Sequence, residues 1–121
     1  MDERQFELIE NEKYSVINVT VEKLDTHVAP VIKSQLIEMA SKGVSNIIID
    51  LKQSRYCDSS GLSAILVANR LCKNAGGTFV LTGLQSAVER LISISQLDTV
   101  LNITDNLEQA VALIEAKSGA N

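Results

Sequence analysis

The run Asp58-Ser59-Ser60-Gly61-Leu62 brings together a carboxylate, two adjacent hydroxyls and a glycine, the residue types of this chain best suited to chemistry. It follows the apolar run Asn46-Ile47-Ile48-Ile49-Asp50-Leu51 and opens a helix-like run from Leu62 to Ala75. Backbone N–H groups in the first turn of a helix have no partner inside it, and the helix dipole favours negative charge there. Hydroxyls at such a place suit phosphate chemistry. Asp and Ser are also preferred N-caps, so the same run reads as a simple helix cap. A capping box would place Glu or Gln three residues after the cap, where the chain offers Gly61, Leu62 or Ser63. Glycine costs about 1 kcal/mol against alanine inside a helix, so Gly61 marks a point where something must approach the backbone closely.

The helical wheel assigns a direction to each of these side chains. At about 100° per residue, Ala64, Ile65, Val67, Ala68, Leu71, Cys72 and Ala75 share one wide arc able to pack on a sheet. Ser63, Asn69, Arg70, Lys73 and Asn74 fall opposite, and Leu62 and Leu66 fall among them. Extended back one turn, the same phase turns Ser59 outward and Ser60 towards the core. Ser59, Leu62, Ser63, Leu66 and Arg70 then form one outer surface in which apolar and polar groups surround a hydroxyl. Two leucines one turn apart beside an accessible serine indicate a docking surface.

The elements that must position this surface alternate. Phe6 to Glu10 and Tyr14 to Val21 predict a hairpin with Asn11-Glu12-Lys13 as its turn. Leu24-Asp25-Thr26 leaves the second strand, and Pro30 stands in the first turn of a helix with Val31, Ile32, Leu36, Ile37 and Ala40 at helical spacing, ended by Gly43. Ile47 to Leu51 reads as a strand buried on both faces. After the long helix and the stop at Gly76-Gly77 come a strand from Thr78 to Thr82 and a helix from Ser86 to Ile94. A strand from Val100 to Ile103 and a helix from Asn106 to Ala116 follow, with Ser118 to Asn121 frayed. Alternating strands and helices imply parallel strands with right-handed crossovers, and sites in such sheets lie beyond the carboxyl ends of the strands. Leu24-Asp25 and Cys57-Asp58-Ser59 both follow strands and are expected to meet at one edge. The fold class is a single α/β domain over residues 1–121, with a mixed, mostly parallel sheet, an N-terminal hairpin and helices packed on the sheet.

Composition excludes several functions. The 121 residues carry a formal net charge of −4, which argues against a nucleic-acid partner, and only 3% are aromatic, too few for base stacking. No apolar run approaches the roughly 20 residues of a membrane span, and Met1-Asp2-Glu3-Arg4 has no apolar signal region. Cys57 and Cys72 form neither a C-x-x-C motif nor a metal spacing with His27, the lone histidine, and read as buried thiols of a reducing cytoplasm. No metal or cofactor site is indicated. A hydrolase built on Ser59, His27 and Asp25 or Asp58 would lack the G-x-S-x-G elbow, and His27 reads as a surface residue near the first helix. Gly76-Gly77 lacks both nucleotide-loop spacings and reads as a helix stop. Asp25 has two readings, acceptor of a partner's hydrogen bond or cap of the first helix.

From about Phe6 to Glu115 the chain resembles the STAS domain, in particular the anti-sigma-factor antagonists of bacterial partner-switching pathways. Asp58-Ser59-Ser60-Gly61-Leu62 matches the D-S-[ST]-G-L signature. Leu24-Asp25, Gly76-Gly77, Leu81-Thr82-Gly83-Leu84 and Leu97-Asp98 match in order. The resemblance implies a binding protein, not an enzyme. It also implies that Ser59 is phosphorylated by an anti-sigma factor with serine kinase activity and restored by a phosphatase, the unphosphorylated form binding the kinase and freeing a sigma factor. Partner-binding residues carried over are Asp25, Asp58, Ser60, Gly61, Leu62, Ser63, Leu66 and Arg70. The chain departs from the pattern at Glu22 and Ser63, where glycine is common, and at Cys57, where an aliphatic residue is usual. The alternative implied is an unphosphorylated adaptor subunit of a membrane transport ATPase.

Overall fold

The computed structural model describes residues 5–118. The readings made on Met1-Asp2-Glu3-Arg4 and on the last three residues of the tail lie outside them, whereas Ser118 is still helical. Strands β1 (Phe6–Glu10) and β2 (Ser15–Val19) form the expected antiparallel hairpin, with Leu8 opposite Ile17. Asn11 closes it, its side-chain Oδ1 accepting from Lys13 N and Tyr14 N at 2.9 Å each. Next come β3 (Lys23–Leu24), α1 (Ala29–Ser41), β4 (Ile47–Asp50), β5 (Tyr56–Cys57) and α2 (Ser59–Asn74). The chain continues through β6 (Phe79–Thr82), α3 (Ser86–Ile94), a 3₁₀ turn (Leu97–Thr99), β7 (Asn102–Thr104) and α4 (Leu107–Ser118).

Among the described residues the strands form a five-stranded sheet in the order β1-β2-β4-β6-β7 and a separate two-stranded pair, β3-β5. All pairings but the hairpin are parallel. Strand β4 is central and wholly buried, as its unbroken β-branched run requires. Its alternation assigns the two faces. Ile47 and Ile49 join Ile17, Phe79 and Leu81 beneath α1, α2 and α3, while Ile48 joins Val16 and Val80 beneath Ala110 and Ile114 of α4. The larger core thus lies under the helix α2 that begins with Ser59.

The ends of α1 and α2 follow from Gly43 and Gly76, both left-handed with φ of +89° and +77°. At α2 the pattern is a Schellman closure, in which Gly77 N donates to Cys72 O at 2.8 Å and Gly76 N to Lys73 O at 3.0 Å. Pro30 sits in the first turn of α1, where its missing N–H costs nothing.

Three expectations change. Val31 and Ile37 are exposed (43% and 60%), because the stripe α1 buries runs through Ala29, Ile32, Leu36 and Met39, and both lie beside it. Val100 is 55% exposed and ends the 3₁₀ turn, so the last strand begins at Asn102. The pair β3-β5 was not expected at all: two residues per strand carry no periodicity of their own.

A row of polar residues crosses the sheet. Glu7, Asn18, Asp50, Thr82 and Thr104 occupy matching positions on the five strands. Asp50 is buried and its carboxylate accepts from Lys52 N at 3.0 Å and Lys52 Nζ at 3.2 Å. Thr104 Oγ1 donates to Thr82 Oγ1 at 2.7 Å. Asn18 Nδ2 donates to Glu7 Oε1 at 3.1 Å, whereas the buried Asn18 Oδ1 has no partner among the described residues. An unsatisfied buried acceptor costs about 1–3 kcal/mol. Asn18→Val, which removes it and suits a strand, is expected to raise stability by about 1 kcal/mol in urea unfolding.

Candidate functional site

The first turn of α2 is set by the short pair β3-β5. Leu24 stands opposite Cys57, and Asp58 N donates to Leu24 O at 3.3 Å. The two segments expected to meet at one edge do meet, held by backbone. Asp58 is the N-cap of α2, in extended conformation, its Oδ1 accepting from Gly61 N at 3.1 Å and its carbonyl from Leu62 N at 3.0 Å. The helix therefore begins at Ser59, and the capping work falls to Asp58 alone. Ser59 is exposed and its hydroxyl makes no hydrogen bond among the described residues.

The close approach inferred at Gly61 is made by the protein itself. A Cβ at that position would lie 2.5 Å from Leu24 O and 2.6 Å from Cys57 Sγ. Gly61 is buried, and Ser60 is half-buried beside it. Asp25 is not the cap of α1. Val28 holds that position without a side-chain hydrogen bond, while the Asp25 carboxylate accepts from His27 N at 2.9 Å and organises the loop. The His27 ring lies 3.6 Å from the same carboxylate, at the surface as expected.

Around Ser59 the residues named from the sequence divide into two groups. Ser59, Leu62, Ser63, Leu66 and Arg70 line one open groove of about 540 Å³, together with Lys33, Val67, Ser95 and Leu97. Asp25 and Asp58 line a second depression, of about 430 Å³, with Lys23, Leu24, Tyr56 and Cys57. Leu66 is exposed on the groove. Leu62 differs from its wheel position: it is half-buried and packs on the edge of the larger core. Lys33, Ser95 and Leu97 could not be found from the wheel of α2, because they arrive from other elements. Tyr56, 48% exposed with the Arg55 guanidinium 5.9 Å from its ring centre, borders the acidic depression. Its strand was unseen in the sequence.

Both thiols stay protonated at neutral pH. Burial pushes Cys57 up from 9.0 to about 12, with the neighbouring Asp58 charge adding to it, and burial pushes Cys72 to about 12 as well. Cys72 is buried as expected, whereas Cys57 is only partly so.

The STAS domain model matches residues 5–110. This chain belongs to the STAS domain family. Two relatives show where in the family it falls. It is 30% identical over 102 residues to the anti-sigma-B factor antagonist of Bacillus subtilis (strain 168), covering 84% of this chain and 92% of that protein. It is also 30% identical over 97 residues to the anti-sigma F factor antagonist of Paenibacillus polymyxa, covering 79% of this chain and 83% of the relative. The fold is that of the Bacillus protein SpoIIAA, an anti-sigma factor antagonist solved in two states. The unphosphorylated form superposes with a TM-score of 0.72 at 22% identity, over 94% of this chain and 98% of the other. The phosphorylated form gives 0.72 at 22%, over 88% and 96%. Among the described residues no helix of this STAS domain is long and apolar enough to cross a membrane.

Two outcomes test the site's packing. Gly61→Ala forces a side chain against the Leu24 carbonyl, which has no rotamer to escape through; a loss of about 3 kcal/mol in urea unfolding is expected. The thiols give a pH dependence. Their folded pKa values lie above the unfolded ones, so the unfolded chain loses these protons first. Stability is retained below pH 9 and falls as pH rises from there towards about 12. Comparing urea midpoints at pH 8 and pH 10.5, the fall is expected to be smaller in a Cys57→Ser, Cys72→Ala double variant than in wild type.

Proposed function

We propose that this protein is an anti-sigma-factor antagonist that works by binding, and that phosphorylation of Ser59 switches it off. The observation that carries this reading is Ser59 itself. It is an exposed hydroxyl with no hydrogen bond among the described residues, and it stands at the head of a groove floored by Leu62, Leu66 and Leu97. The relatives at 30% identity carry antagonist names, which favours this reading over an adaptor in a transport ATPase.

In this reading the partner is an anti-sigma factor that is also a serine kinase, and a phosphatase returns phospho-Ser59 to the hydroxyl. Both act in the cytoplasm, where the antagonist itself performs no catalysis. The groove accepts the anti-sigma factor through Leu62, Leu66 and Arg70, with Ser63 and the Asp25–Asp58 depression beside them. Sequestering that factor frees its sigma factor.

The switch follows from burial and charge. A phosphate adds about −1.5 to −2 charges. A partner packing on the leucines would have to strip water from it, at a cost far above that of covering a hydroxyl. The fold is unaffected, since the Ser59 hydroxyl supports no other group and negative charge is welcome at a helix N-terminus. Ser60, half-buried, is a poorer acceptor than Ser59.

The test uses the anti-sigma factor recovered by affinity capture and then purified. Wild type and Ser59→Ala are expected to bind it alike, and Ser59→Asp at least about tenfold more weakly, equivalent to about 1.4 kcal/mol in titration calorimetry. Equal affinity of all three would remove the switch.

A further inference from the structure

The groove that holds Ser59 has a charge opposite to that of the whole protein. Of the described residues lining it, Lys33 and Arg70 are cationic and none is a carboxylate, in a chain of formal net charge −4. Neither cation makes an ion pair among the described residues. Asp58 of the motif and Asp25 line the other depression together with Lys23. Ser59 therefore stands between an acidic flank and a basic one.

Position separates the two cations. Arg70 lies three turns further along α2, roughly 16 Å of helix from Ser59, beyond the reach of its guanidinium. Lys33 lies in the second turn of α1. Helices α1 and α2 are consecutive crossovers of one parallel sheet and pack against each other, so they run side by side in the same direction. The β3-β5 pair sets Leu24 opposite Cys57, with Asp25 to Val28 between it and α1 and Asp58 alone between it and α2. Lys33 and Ser59 line one groove, Lys33 from the second turn of α1 and Ser59 from the first turn of α2. Lys33 is half-buried, with a four-carbon stem whose ammonium can swing towards Ser59 or out to solvent.

We infer that Lys33 is the intramolecular counter-ion of a phosphate carried on Ser59. Drawn by the ammonium and repelled by Asp25 and Asp58, the phosphate leans into the basic groove. Its roughly −1.5 to −2 charges offset the single positive charge of Lys33, which is withdrawn from any acidic group of a partner, while Arg70 lies too far along α2 to take part. Modification thus removes one cation from the groove in addition to adding an anion. This rests on Ser59 being the acceptor, but its test does not require the cell's own kinase.

Phosphoserine is placed at position 59 by genetic encoding in the full chain, and its second ionisation is followed by phosphorus NMR. An ammonium nearby favours the dianion while the carboxylates of Asp25 and Asp58 oppose it, so the share of Lys33 is read from the change on its removal. Lys33→Gln is expected to raise the second pKa by at least about 0.3 pH unit, and Arg70→Gln to leave it within about 0.1. Lys33→Met, which keeps the apolar stem, serves if the glutamine variant does not fold. Superimposable titrations of wild type and the Lys33 variants, or a larger shift from Arg70→Gln, would overturn the assignment. A value that rises on Lys33→Gln in a protein whose Ser59→Asp form still binds the anti-sigma factor would leave the counter-ion standing and refute only the switch.

Discussion

The backbone of Leu24 lies so close to the first turn of α2 that any side chain at residue 61 would meet its carbonyl at 2.5 Å. The same carbonyl accepts from Asp58 N, and the strand it ends pairs with Tyr56–Cys57. Two short stretches far apart in sequence are thereby strapped together by main chain, which cannot rearrange as a side chain can. The strap holds the first turn of α2 against the strand that leads towards α1. The position of Ser59 follows from it. Gly61 is the one residue type that permits the contact.

Division of labour along the motif follows from the same geometry. Asp58 spends its side chain on Gly61 N, Gly61 spends its missing side chain on Leu24, and Ser60 is half-buried. Ser59, the exposed hydroxyl of the pair, has no hydrogen bond among the described residues. A group with no structural duty is one whose chemistry can change without disturbing the core, and this is the property a reversible modification requires. Stability and signalling occupy adjacent residues here without sharing one.

Much of this was legible in the residues. Helix α3 and the first strand have the expected limits, and the wheel of α2 correctly turned Ser59, Leu66 and Arg70 to one groove, because a helix of this length keeps its phase. Three kinds of information were not local. The β3-β5 pair is two residues long on each side, and only its partner makes it a strand. Leu62 has the phase of an exposed residue and is partly buried against the larger core, which no single-helix pattern reveals. Lys33 enters the groove from α1, where it looks like any charged residue beside an apolar stripe. Gly61 was recognised as a point of close approach, but a glycine says only that space is needed and not who fills it.

The polar row from Glu7 to Thr104 also bears on how the sheet finds its pairing. Central strands rich in valine, isoleucine and leucine offer many nearly equivalent registers, and a slip of one residue exchanges the two faces. In such a slipped sheet Asn18, Asp50 or Thr82 would be driven into the apolar layer beneath α1 and α2. That error is far more costly than a mismatch between aliphatic side chains. The row therefore serves as an alignment mark: a few polar groups, placed at one level across five strands, exclude every slip by an odd number of residues, because each such slip strands one of them in the larger core.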